Sequence, residues 1–109
     1  QLVVDACGSG LEMRRRLHRA GRQIEVFDQA TPATWHRAGQ VPPYCAHCAC
    51  NEIESIRRFG YPVLVTEFDP DPERPCGWTV YKSPALIPER YFERLGIKRD
   101  AGRFRALWV

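Results

Sequence analysis

Three cysteines within six residues are the feature that most limits what this chain can become. Cys45, Cys48 and Cys50 lie in residues 35–60, WHRAGQVPPYCAHCACNEIESIRRFG, with His47 among them and His36 nine positions before the first. The stretch runs from a Pro-rich loop straight into an amphipathic helical pattern. Separate disulfides from such a cluster are sterically awkward, and the total of five cysteines leaves one thiol over in any purely bridged framework. A Cys7–Cys76 bridge beside the cluster stays open as an alternative. Thiolates and imidazoles at this spacing suit a tetrahedral zinc ion. Cys45 and Cys48, a C-x-x-C pair, supply two ligands; Cys50, Cys76, His36 and His47 are the candidates for the other two. Clustered thiols also favour action in a reducing, cytoplasmic setting.

Length sets the scale. A chain of 109 residues, 44% hydrophobic and 27% charged, fits one domain with one modest core. It is expected to be an effector- or toxin-type module excised from a larger chain, since it opens without Met and without a signal-peptide pattern. No apolar run approaches the ~20 residues of a membrane span, so no membrane partner is expected.

Periodicity gives the elements. Leu2-Val3-Val4 reads as a buried strand, followed by a Gly-rich turn and a helix opened by the Ser9-x-x-Glu12 capping pattern. Leu11, Met13, Leu17 and Ala20 mark its apolar side, and Gly21 closes it. Ile24 and Val26 alternate with polar residues as a strand ending near Asp28. Trp35 plugs the irregular stretch 29–44 onto the core. A helix starts between His47 and Asn51, with Ile53, Ile56 and Phe59 on its apolar stripe and Gly60 at its end. Val63, Leu64, Val65 and Phe68 predict one strand, and Trp78, Val80 and Tyr81 another. Pro88 opens a last helix that Gly96 closes, and residues 104–109 predict a final strand. The sum is an α/β or α+β fold: about three helices in a single layer on a small mixed sheet of four to five strands.

Net charge is +3, and 14 of the 16 basic residues are Arg. Guanidinium forks match phosphate, and Arg14, Arg15, Arg16 and Arg19 run together along the first helix. They are the candidate nucleic-acid contacts; a protein partner is the other expectation.

Two motifs resemble known families. Cys50-Asn51-Glu52, followed by Pro75-Cys76-Gly77, resembles part of the signature of zinc-dependent cytidine and nucleic-acid deaminases, in which a Cys or His, x, Glu precedes P-C-x-x-C. The resemblance implies zinc on Cys50 and Cys76 and Glu52 as the proton-shuttling acid/base, with Thr79 standing where the pattern has its last ligand. Pro43-Tyr44-Cys45-Ala46-His47-Cys48 resembles the active-site turn of glutaredoxins and disulfide oxidoreductases, which implies thiol chemistry at Cys45. Asp5-Ala6-Cys7-Gly8-Ser9-Gly10 is similar to the Gly-rich loop of Rossmann-type methyltransferases; on its residues it reads as a tight strand-to-helix turn. The expectation carried forward is a small zinc-binding domain that binds or acts on nucleic acid, with a Glu52 deaminase-like hydrolase or a Cys45–Cys48 thiol oxidoreductase as alternatives.

Overall fold

A computed structural model describes residues 2–6 and 8–105; within 2–6 it describes the backbone alone. The chain is a mixed fold of helix and sheet. Strand β1 (Leu2–Ala6) leads into helix α1 (Gly8–Arg19); helix α2 (Ala46–Phe59), strands β2 (Val65–Glu67) and β3 (Cys76–Val80), and the short helix α3 (Arg90–Glu93) follow.

The sheet is antiparallel with β3 in the centre: β1 pairs with β3 through Ala6↔Cys76 and Val4↔Trp78, and β2 through Val65↔Thr79 and Glu67↔Gly77. The expected four to five strands are corrected to three among the described residues. Ile24 and Val26 alternate correctly but form no strand. Instead Phe27 donates to the Val41 carbonyl and accepts from the Gly39 amide, so this segment finds its backbone partners in the neighbouring loop rather than on a sheet edge. The predicted strand 63–68 shortens to β2, and the last predicted strand, 104–109, lies mostly outside the described residues.

Helix α2 starts at Ala46, just before the predicted window, through a short 3₁₀ turn over Pro43–Cys45. Asn51 is therefore an exposed residue inside the helix. The helix ends where glycine was expected, at Gly60 with φ +88°; the left-handed region is open to glycine at little steric cost. A further turn seats the preceding loop: Trp35 ends the 3₁₀ turn Pro32–Thr34 with φ 52° and is 4% exposed, as its expected plugging role requires.

With only three strands, the sheet cannot cover α2 alone. The core is completed from loops and α3: Trp35, Val41, Tyr61, Ile87, Phe92 and Leu95 are buried together with Cys45, Cys48 and Cys76. Burial of such side chains contributes about 1.5–3 kcal/mol each before chain entropy is counted. That core is what brings the head of α2 and the head of β3 into one interior.

Candidate functional site

The 3₁₀ turn delivers Cys45 to the head of α2, and Cys48 follows one helical turn later. Both are buried, at 3% and 8% exposure. The turn is tied to α1 by the Tyr44 hydroxyl, which donates to Ser9 Oγ at 2.8 Å. His47 lies between the cysteines and is exposed. Its Nδ1 meets the Tyr44 carbonyl, and its Nε2 lies 3.5 Å from Cys48 Sγ. A backbone carbonyl on Nδ1 fixes the tautomer that leaves the Nε2 lone pair facing the sulfur.

Beside this pair is a cavity of about 250 Å³, lined by His47, Cys48, Asn51, Ser55, Thr66 and Trp78 among others. The Trp78 indole N–H is buried without an acceptor among the described residues. The cavity therefore has one thiol, one imidazole, two hydroxyls and an unanswered donor on its walls.

Cys76 is 3% exposed at the start of β3. The Asp69 amide donates to its Sγ at 3.4 Å, and Arg14 Nη2 does so at 3.6 Å. Arg14 is itself only 2% exposed. Its other hydrogen bonds go to the carbonyls of Asp69, Asp71 and Arg74, and no carboxylate among the described residues pairs with it. The Asp69 amide and the Arg14 guanidinium thus both reach this sulfur, from the loop and from α1.

The remaining candidates are dispersed. Cys50 is exposed on α2, two residues from both Cys48 and Glu52, which are buried, so it projects from the opposite side of the helix. His36 is exposed and meets the Arg94 carbonyl. Among the described residues, no three His, Cys, Asp or Glu side chains gather closely enough to hold a metal ion. Cys7 lies outside the described residues.

Glu52 lies inside α2, with its side chain turned into the core. It is 2% exposed and both oxygens are taken. Trp35 Nε1 donates at 3.3 Å and Arg94 Nη2 at 2.9 Å to Oε1; the Thr66 amide donates at 3.0 Å and Arg94 at 3.2 Å to Oε2. Burial pushes its pKa above the ordinary value near 4.5, and Arg94 first, then the Thr66 amide, pull it back. A carboxylate so fully engaged fastens α2 to α3, β2 and the Trp35 loop.

The arginines of α1 are also engaged by the protein. Arg14 is buried as described; Arg15 and Arg19 face Glu73, with Arg19 Nη2 2.9 Å from Oε1; and Arg16 pairs with Glu12 at 2.7 Å. The sequence reading missed Arg94 and Thr66, which answer Glu52 from 42 and 14 residues away; no local pattern signals such a pairing. No protein-family model, curated protein or solved structure matches this chain.

Proposed function

We propose that this chain is a small zinc-binding domain in which the metal joins the head of α2 to the head of β3 and braces the fold. Cys45, His47 and Cys48 would supply the α2 side and Cys76 the β3 side; no three such groups among the described residues are gathered as the chain stands, so the ion would have to draw the four together. The carrying observation is the edge between His47 Nε2 and Cys48 Sγ. Zn–S and Zn–N bonds of about 2.3 and 2.0–2.1 Å at a tetrahedral angle set sulfur and nitrogen roughly 3.5 Å apart, and the observed separation is 3.5 Å. The Nδ1 contact with the Tyr44 carbonyl is the outer support that zinc-bound histidines ordinarily have. Burial of both cysteines suits a saturated, structural ion better than an attacking thiol, which must reach its substrate. The engaged state of Glu52 lends no support to a proton shuttle, so the deaminase-like alternative is the weaker one.

The test is elemental analysis of protein purified without chelator, repeated for each Cys→Ser variant and for His47→Ala. One zinc per chain, lost in the Cys45, Cys48 and Cys76 variants and weakened in His47→Ala, is the expected result. Metal-free protein whose melting is indifferent to added zinc overturns it.

The same contact favours one second reading, a thiol–imidazole pair in which Nε2 accepts the Cys48 proton. Metal-free protein whose Cys48 is alkylated with a pH profile that His47→Ala abolishes would establish that pair instead.

A further inference from the structure

Among the described residues, a concentration of weakly compensated positive charge lies at the C-terminal end of α2. The segment after α3 returns to the C-terminal end of α2 and forms a groove of about 640 Å³, whose lining includes Arg57, Arg58, Arg103 and Arg105. Arg57 and Arg58 share one carboxylate, Glu54, at 3.1 and 2.8 Å. Arg103 and Arg105 are exposed, and among the described residues no carboxylate pairs with either. Four guanidiniums thus face one carboxylate and a helix C-terminus worth roughly half a negative charge. The groove keeps an excess of about two to three positive charges.

The groove is built rather than incidental. Gly60, at φ +88°, lets the returning chain press against the end of α2: a Cβ there would lie 2.4 Å from the Arg103 carbonyl oxygen. The Arg105 amide donates to the Phe59 carbonyl at 2.9 Å. Between the two arginines, the Phe104 ring packs against Tyr61 and Phe92, with centroids 5.6 and 6.3 Å away. This anchor holds Arg103 and Arg105 on either side of a fixed point.

We infer that this groove binds the sugar–phosphate backbone of a nucleic-acid duplex, independently of any metal. Guanidinium forks take phosphate oxygens two at a time, which a lysine cannot do. Proteins that grip single strands add aromatic platforms for unstacked bases. Among the described residues one aromatic ring lines the groove, Phe104, and it is half-buried against Tyr61 and Phe92, which leaves phosphate contacts and favours a duplex. Such contacts position a protein on the helix without reading its sequence.

The test is fluorescence anisotropy with a labelled duplex of about 20 base pairs, from 20 to 300 mM salt, in the presence and absence of chelator. Three neutralised phosphates give a log–log salt slope of about −2.7, a loss of roughly 40-fold between 50 and 200 mM. Arg103→Gln/Arg105→Gln, confirmed as folded by its melting curve, is expected to bring the slope to about −0.9 and to weaken binding at least ~10-fold at 50 mM. Arg16→Gln/Arg19→Gln is expected to leave both unchanged. DNA and RNA duplexes run side by side identify which backbone is preferred. The inference is overturned by no binding at 20 mM salt or by an unaltered slope in the Arg103/Arg105 variant. Loss through the α1 variant instead, tighter binding of a single strand, or equal competition by polyglutamate also overturns it.

Discussion

Glu52 shows how one buried charge can organise a small domain. Its side chain is 1% exposed and that of its partner Arg94 is 17% exposed; Arg94 also donates to the Thr66 carbonyl at 2.7 Å and lies over the Trp35 and Tyr91 rings. Removing one member of such a pair leaves the other charge buried. Glu52→Gln is therefore expected to lower stability by about 3 kcal/mol, read from urea unfolding, whereas Glu52→Gln with Arg94→Met should recover much of that loss. A change under ~1 kcal/mol would show that the Arg94 pairing adds little to stability. Glu73 is the contrasting case, a half-buried carboxylate facing His18, Arg15 and Arg19. The His18 hydrogen bond, then Arg19, hold its pKa below the ordinary value near 4.5. A depressed carboxylate adds stability above its unfolded pKa and loses it as pH falls through the folded one. Glu73→Gln should therefore lower Tm modestly at neutral pH, where the ion pairs are intact, and the difference from the unaltered protein should shrink as pH falls below about 4.5, as thermal melts across pH would show.

At the scale of elements, α2 carries different chemistry on its two ends. Its head has the C-x-x-C pair entered through the Pro43–Cys45 turn; its tail has Arg57 and Arg58 and the seat for the returning chain. Gly60 joins that tail to residues 103–105. Gly60→Ala forces a Cβ into the left-handed region, at about 1–2 kcal/mol, and also displaces the Arg103 carbonyl. The expected result is a loss of about 2 kcal/mol or more, with faster hydrogen exchange at the Arg105 amide and weaker duplex binding. Unchanged exchange at Arg105 would show that the segment is held by Phe104 alone. Helix α1 has the opposite design. Its arginines bind the loop 69–76 through carbonyls, Glu73 and Cys76, so a run that reads as a charged outer face is in part a clamp on the strand that carries a candidate ligand.

For the whole molecule, a three-stranded sheet and two substantial helices leave a core finished by loops. A metal between α2 and β3 would then be part of the folding free energy. At about 100-fold excess of zinc over its Kd the gain is roughly 2.7 kcal/mol, or roughly 10 °C in Tm. Chelator should therefore lower Tm by about that amount in the intact protein but not in Cys48→Ser, by scanning calorimetry. The sequence determined what is periodic or stereochemical. The apolar stripe of α2, its stop at Gly60, the burial of Trp35 and the strand around Trp78 follow from side-chain spacing and glycine freedom, which act within a few residues; the Ser9 cap does not, since α1 already begins at Gly8. Strand number was not legible, because alternation at Ile24 and Val26 says that a segment can be extended but not whether a sheet edge is there to receive it. Of the candidate site, the Cys45-x-x-Cys48 pair and its helix head were readable, while the burial of Arg14 and the bond from Arg94 to Glu52 were not. Nor was the gathering of Arg57, Arg58, Arg103 and Arg105 into one groove. Each of these joins residues more than forty positions apart, and only the packed tertiary structure decides which distant charges share a dielectric and a partner.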